Sequence, residues 1–466
     1  MAPMSSPVEA LASDRLRIFQ VHTEGLGDNS YVLTSAGEAI VVDPQRDLDR
    51  FFELLSKLDA RLVGVLETHL HNDYVSGGPA LATAKGAPYR VPAGAGFEVN
   101  HTELGDGDEL QVGSVRLRAL STPGHTRHHM SYAVLEGDTV VAVFTGGSML
   151  VGACGRTDLV GSEWTTSLAE DQYRSSRRLS SLPEQALILP THGAGSFCAA
   201  TEGGSARWST VGEERQQNPA IKASNVRSFV SGQLGRLLAY PAYYARMAGE
   251  NRAGRAAWEA RRPPSVSAER ACDLIGKGVR VLDGRPRRSF AAAHLTGSVN
   301  IELDAGFATY VGWLFPAGTR FLLVLDEGQD PLEAARQCAR IGVEEIEGTL
   351  EGGIDSWRRA GHPLSSYEVS DAGGLRRVLD SGAVTMLDVR QDREWEGGHI
   401  PGAMHVHVAD LPRRLAEIPT DRPVYTYCRS GQRAAIAASL LDGAGYRTVL
   451  VDGGFRDWQQ RGYPVE

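Results

Sequence analysis

Residues 384–406 read VTMLDVRQDREWEGGHIPGAMHV, and residues 279–301 read VRVLDGRPRRSFAAAHLTGSVNI. In both stretches eleven positions separate an aspartate (Asp388, Asp283) from a histidine (His399, His294), and three more lead to a glycine (Gly402, Gly297). An arginine stands two places after each aspartate, Arg390 and Arg285. Each copy later closes on a Gly-Gly-x-x-x-Trp element, DGGFRDW ending at Trp458 and EGGIDSW ending at Trp357. Self-similarity of this kind means two copies of one domain. Within them, short β-branched runs at 279–282, 422–427 and 448–451 alternate with helical stretches such as 434–442. That alternation predicts small α/β domains whose parallel strands are joined by crossover helices.

Working upstream, residues 252–264 (RAGRAAWEARRPP) are rich in Arg and Ala and end in a double proline that stops any helix, the mark of a linker. Before it, strand-like runs (YVLT, AIVVD, LVGVLETH, VRLRALSTPGH, TVVAVFTG, ALILPTH) alternate with Gly-rich turns, as in a β-rich sandwich with helices outside. The expected division is a first domain at 1–250, a linker at 251–264, and the two copies at 265–366 and 367–466. A length of 466 residues exceeds what one core usually organises, in keeping with several domains. The net charge of −9 and the lack of a basic stripe argue against nucleic acid or an anionic membrane as a partner. The five cysteines (154, 198, 272, 338, 428) are scattered with no CxxC pair, which suggests neither a disulfide framework nor a zinc knuckle. The N-terminus has no basic start followed by an apolar run, and nowhere do about eighteen apolar residues stand together, so a cytoplasmic location is expected.

The second copy carries chemistry at 424–434, VYTYCRSGQRA. A strand ends at Cys428, a short loop of Arg429, Ser430, Gly431, Gln432 and Arg433 follows, and a helix begins at once. Such a loop points backbone N–H groups inward and sets the sulfur over a helix N-terminus, which favours an anion. The thiolate is the reactive form of cysteine, and Arg429 and Arg433 are expected to help stabilise it. The Asp-x-Arg and His-x-x-Gly elements, the CRSGQR loop and the GGxxxW ending together resemble the rhodanese family over about a hundred residues. The resemblance implies a sulfurtransferase whose nucleophile is Cys428. In the first copy the matching stretch is FLLVLDEGQDPLEAARQ (321–337), with Asp326 about where the nucleophile should stand. A carboxylate cannot accept sulfane sulfur, and Cys338, inside a helical run, is expected in the core. The first copy is therefore read as silent, a domain that packs between its neighbours and shapes a channel or an oligomer contact.

The N-terminal region gathers histidines at strand ends. ETHLHNDYVSGG (67–78) follows an apolar strand, with His69, His71 and Asp73 at i, i+2 and i+4. STPGHTRHH (121–129) brings His125 after a turn, LILPTHGAG (187–195) brings His192, and VVDP ends at Asp43. Neutral imidazoles projecting from such loops can converge on a metal. His128 and His129 are read as one outward and one inward residue, and the aromatic cluster at 240–244 as packing at a domain junction.

Four such strand-end sites resemble the metallo-β-lactamase fold, an αββα sandwich with a metal at one edge, here followed by two rhodanese-like α/β domains with parallel sheets. Within that superfamily GACGRTDL (152–159) looks like the persulfide dioxygenase branch. The resemblance implies oxidation of a low-molecular-weight persulfide by O2 at a mononuclear Fe(II) held by two histidines and an aspartate. It implies His69 and His125 as the histidine ligands and Arg156 beside the thiol part of the substrate.

The chain departs from that pattern at the third ligand. Where the family has Phe-Thr-Gly-Asp, this chain has Phe144-Thr145-Gly146-Gly147, and Tyr74 stands where a second metal's histidine belongs. Three arrangements stay open: His69 and His125 bind Fe(II) with water or substrate completing the set; His71, Asp73 and His192 recruit a different arrangement or a different ion such as Zn; or no metal binds because Gly147 offers no donor. The functions expected are accordingly a combined persulfide dioxygenase and sulfurtransferase, a sulfurtransferase on a metal-free scaffold, or a thioester hydrolase of the glyoxalase II kind. The expected partners are a thiol persulfide, thiosulfate or sulfite, with homo-oligomerisation left open.

Overall fold

The computed structural model describes residues 6–200, 204, 206–379 and 384–466. Residues 1–5, part of the N-terminus read above, lie outside the described residues. The chain divides into two compact units, Ala2–Ala260 with Ala339–Gly342, and Arg261–Cys338 with Val343–Glu466.

The first unit is built on two sheets. One holds seven strands in the order β1 to β7: Val8–Ala12, Arg17–Thr23, Asp28–Ser35, Glu38–Val42, Arg61–Leu66, Tyr89–Pro92 and Thr102–Leu104. The other holds β8 (Glu109–Val112), β9 (Val115–Ser121), β10 (Met130–Glu136), β11 (Thr139–Gly146), β12 (Leu187–Pro190) and β13 (Ser209–Thr210), in the order β13-β12-β11-β10-β9-β8. Successive strand residues face opposite sides, and here both sides are apolar because both are covered. On β3, Tyr31 and Leu33 enter the core between the sheets with Tyr132, Val134 and Phe144, whereas Val32 packs outward with Phe51 and Leu54 of the helix Asp49–Lys57. On β10, Ala133 and Leu135 face outward, in the same cluster as Leu179 of the helix Thr165–Ser180. Helix, sheet, sheet and helix therefore stack in layers.

The candidate site residues lie where these strands stop. Asp43 follows β4, Glu67 to Asp73 follow β5, His125 follows β9, Gly147 follows β11 and His192 follows β12. Asp28 opens β3 and bridges to His192 across the sandwich edge. The helix Tyr244–Ala253 takes in residues 251–253, which were expected in the linker. The Asn251 side chain holds it to the unit, donating to the carbonyls of His71 and Tyr74 and accepting from Ser76 N–H.

The second unit contains two parallel five-stranded sheets of like order. The first is β14 (Ser265–Val266), β19 (Ile346–Leu350), β18 (Phe321–Val324), β15 (Arg280–Asp283) and β17 (Val299–Asn300). The second is β21 (Glu368–Ser370), β25 (Thr448–Val451), β24 (Val424–Tyr427), β22 (Thr385–Asp388) and β23 (Met404–His405). The remaining strands, β16 (His294–Leu295) and β20 (Leu364–Ser365), form a small antiparallel pair. The repeated motif is a structural clasp in both copies. Arg285 and Arg390 form buried ion pairs with Asp283 and Asp388 at 2.7 and 2.6 Å, and each donates a further bond to the chain just before the histidine, at Ala293 O and Gly398 O. Trp357 and Trp458 likewise donate from Nε1 to Pro363 O and Pro464 O.

The strand register corrects one expectation. Asp388 pairs with Tyr427, and Asp283 pairs with Val324. The residue equivalent to Cys428 is thus buried Leu325, and Asp326 falls one place beyond it. An apolar side chain therefore stands in the first copy where the second has Cys428.

Candidate functional site

Two sites emerge, one in each unit. In the second unit Cys428 directly follows β24, is 1% exposed, and receives the Gly431 N–H on its sulfur at 3.2 Å. Gly431 has φ +105° and opens the helix Gln432–Gly443, so the turn aims an amide back at the sulfur. The loop is also braced from behind, with Phe455 N–H donating to Cys428 O at 2.7 Å and Arg456 N–H to Arg429 O at 3.1 Å. Gly454 explains the glycine pair of GGxxxW, because a Cβ there would lie 2.2 Å from Cys428 O.

The charges around the sulfur differ from the expected set. Arg429 is exposed, and the Arg433 guanidinium is paired with Glu394. Burial alone would lower the Arg433 pKa, but Glu394 and Cys428 hold it above its ordinary value. A third guanidinium comes from the silent copy. Arg287 donates to Ser430 O at 2.9 Å and pairs with Glu302 at 2.6 Å, while Asp304 accepts from Gln432 at 2.5 Å. Burial opposes the charge on Arg287, yet Glu302, Asp452 and Cys428 together raise its pKa. Sequence reading missed Arg287 because it lies 143 residues from Ser430. Three other cysteines are poorly suited to catalysis: burial pushes the Cys154 and Cys338 thiols up to about 12, and burial with Asp73 close by raises Cys198 well above its ordinary value.

In the first unit His69, His71, Asp73, His125 and His192 are all buried at one edge of the sandwich. Three overlapping sets could hold a cation: His69, His125 and His192; His71, Asp73 and His192; and Asp43, Glu67 and His71, the ligand atoms of each set lying within 4.8 Å of one another. Several polar atoms here, His125 Nε2, His71 Nδ1, Asp73 Oδ1 and Asp28 Oδ2, are buried with no hydrogen-bond partner among the described residues. The orphaned lone pairs of His125 Nε2 and Asp73 Oδ1 fit a bound cation.

The histidines differ in environment. Burial and neighbouring imidazoles hold His69 and His125 well below the ordinary histidine range, so both are neutral, as a metal ligand must be. His71 instead turns Nε2 to Glu67 at 2.9 Å and Asp43 at 3.3 Å, and these carboxylates overcome burial to keep it charged. Burial would lower the His192 pKa, but Asp73 and Asp28, 3.0 and 2.9 Å from its Nδ1, lift it to about 9. Asp43, with φ +52°, accepts from Thr68 N–H and Thr68 Oγ1 at 2.7 Å each and from Thr191, so it organises the loops. Tyr74 donates to Asp43 O. His129 is buried and accepts from Gly147 N–H at 3.0 Å, and His128 is exposed.

Arg156 does not offer a free guanidinium to a substrate. It is buried, paired with Asp158, bonded to Phe197 O and Leu238 O, and stacked against Tyr240. Its contribution to the site is its backbone carbonyl, which accepts from His125 Nδ1 at 2.7 Å. The aromatic cluster also touches this site, since Tyr243 OH donates to Asp73 O at 2.8 Å.

Comparison with known proteins agrees with both descriptions. Residues 23–192 match the metallo-beta-lactamase superfamily, and residues 267–360 and 371–461 each match the rhodanese-like domain. The mitochondrial persulfide dioxygenase of Bos taurus is 31% identical over 191 residues, 40% of this chain and 68% of that protein. A sulfurtransferase of Allochromatium vinosum is 36% identical over 99 residues, 21% of this chain and 92% of that protein. The crystal structure of a metallo-beta-lactamase from Staphylococcus aureus superposes with a TM-score of 0.66 at 26% identity, covering 72% of this chain and 99% of that one. The chain spans about half the length of other curated relatives it matches. Through its first half the chain therefore belongs to the metallo-beta-lactamase superfamily, alongside the persulfide dioxygenases, and through its second half to the rhodanese-like family.

Proposed function

We propose that this protein is a sulfur-metabolism enzyme with two centres, a sulfurtransferase at Cys428 and a metal-dependent site in the first unit that acts on a thiol persulfide. The observation that carries the reading is the amide of Gly431 set on the Cys428 sulfur at the end of a parallel strand. In the transfer step the Cys428 thiolate attacks the outer sulfur of thiosulfate, the S–S bond breaks, and sulfite leaves with the bonding electron pair. Cys428 then carries one extra sulfur, which a thiol or cyanide removes in the second half-reaction. The Gly431 amide stabilises the anionic sulfur in both states. Arg287 and Arg433 supply positive charge to the loop without themselves reacting.

In the first unit, His69 and His125 are the residues that would hold a metal: both imidazoles are held neutral, and His125 Nε2 has no partner among the described residues. Fe(II), when bound, would supply the one-electron chemistry with O2 that a dioxygenase requires. The surrounding side chains exclude water and fix the ring orientations. We place the end of the first domain no earlier than Ala253, where its last helix stops, the two copies at 265–366 and 367–466, and the protein in the cytoplasm. Among the described residues no helix is long and apolar enough to cross a membrane. The sulfurtransferase-only reading keeps Cys428 and discards the metal. The thioester hydrolase reading is disfavoured by Tyr74 and Gly147, which remove two donors from a dinuclear set.

The test is oxygen uptake by iron-loaded protein with glutathione persulfide, run beside thiosulfate–cyanide transfer. Both activities are expected. Transfer without oxygen uptake would reduce the protein to its sulfurtransferase half, and absence of transfer would overturn the Cys428 assignment.

A further inference from the structure

We propose that the first unit binds one divalent transition-metal ion through three imidazoles, His69, His125 and His192, with no carboxylate in direct contact. This rests on the reading that the unit holds a metal at all, and it adds the third ligand and the charge of the set. The hydrogen bonds fix which ring nitrogen is available in each case. Thr68 Oγ1 donates its proton to Asp43, so it can only accept from His69 Nδ1 at 2.8 Å. The carbonyl of Arg156 can only accept from His125 Nδ1 at 2.7 Å. His192 Nδ1 faces the carboxylates of Asp28 and Asp73 at 2.9 and 3.0 Å. All three Nδ1 atoms are therefore committed as donors to outer partners, the arrangement that presents Nε2 to a metal.

The three Nε2 atoms face one another. His69 Nε2 lies 3.3 Å from His192 Nε2, and His125 Nε2 is buried without a partner among the described residues. With its Nδ1 on the two carboxylates, a protonated His192 donates from Nε2 to His69 Nε2 across this distance, and an ion that replaces that proton would be held by both nitrogens. The competing set of His71, Asp73 and His192 would draw on His71 Nδ1 and Asp73 Oδ1, while the Nδ1 of His192 already serves Asp28 and Asp73.

Gly147 belongs to the same design. A Cβ at 147 would lie 2.2 Å from His125 Cδ2, and one at Gly155 would lie 2.6 Å from His125 Nδ1. The His125 ring thus occupies the space into which any side chain at 147 would project. Loss of the carboxylate and seating of His125 are one change, so an aspartate cannot be restored without moving the ring. Three neutral donors leave the ion its full double charge, with Asp28 and Asp73 compensating through His192. Imidazole donors of this kind suit Zn(II), Fe(II) or Co(II).

The experiment strips full-length protein with a chelator and titrates it without oxygen with Co(II) alone, reading metal per chain and visible absorption. Wild type is expected to bind one ion per chain. His192→Asn is expected to weaken binding roughly tenfold or more, and Gly147→Asp to weaken it as well, because the new Cβ displaces His125. His192→Asn binding like wild type, or Gly147→Asp binding more tightly, would overturn the three-imidazole set. X-ray absorption of the Zn(II)-loaded wild type needs no variant to fold, and it should show three imidazoles; two, or a bound carboxylate, contradicts the proposal. Wild type that takes up neither Co(II), Zn(II) nor Fe(II) would instead remove the metal reading itself. Thiosulfate–cyanide transfer through Cys428 should be retained in both variants.

Discussion

At Cys428 a backbone amide and the charge of more distant guanidinium groups replace what a single side-chain partner would supply. Changing Cys428 to Ser is expected to lower thiosulfate–cyanide transfer by roughly a thousandfold or more, because no other group can take its place. Cys338→Ser should leave the rate unchanged, since that thiol is buried in a helix of the silent copy. Arg287→Ala should cost about tenfold in kcat/KM for transfer, the scale of a lost charge-assisted hydrogen bond, with little effect on folding. A rate equal to wild type would show that the silent copy contributes nothing to the loop. The loop around the proposed nucleophile was legible in the sequence because strand, cysteine, loop and helix are contiguous. Arg287 was not, and neither was Asp28, which meets His192 across 164 positions. Such pairings are set by the fold. The fate of Arg156 was equally hidden: sequence shows a guanidinium near the site but not that Asp158 and two carbonyls already occupy it.

Among the elements, the loop and the Gly-Gly turn behind it act as a pair. Gly454 has φ +57° and lies against Cys428 O, so Gly454→Ala should destabilise the second unit by roughly 1–3 kcal/mol and slow transfer. Denaturation curves followed beside the assay would check this, and an unchanged midpoint would contradict it. The repeat made both Gly-Gly-x-x-x-Trp turns visible in the sequence, but not the one-residue offset that puts Leu325 at the nucleophile position; only strand register settles that. A second prediction concerns His407, which packs against the Trp313 ring at 5.0 Å. Burial, helped by the charge of Arg433, lowers its pKa to about 4. A folded pKa below the unfolded value of about 6.5 means that the unfolded chain binds the proton more readily. His407 thus costs no stability above about pH 6.5 and progressively destabilises the unit as pH falls toward 4. His407→Gln should flatten the difference in melting temperature between pH 7 and pH 5; an unaltered pH dependence would remove His407 as its source.

For the whole molecule, two compact units imply two unfolding transitions, and a single fitted stability would not describe them. Metal that binds only the folded first unit should raise one transition and leave the other in place. Calorimetry with and without added Zn(II) is expected to show that selective shift, and a common shift of both transitions would contradict it. The two-copy architecture was readable at this scale because repeats report domains directly. The limit of the first unit was less so, since the helix Tyr244–Ala253 is tied back by the Asn251 side chain at positions that composition assigned to a linker. The central claim, that sulfur is carried on Cys428, is tested most directly by mass spectrometry of peptides from protein incubated with thiosulfate and then trapped with an alkylating reagent. One added sulfur atom on the peptide containing Cys428, and on no other cysteine, is the predicted result; a peptide containing Cys428 that never gains sulfur would contradict it.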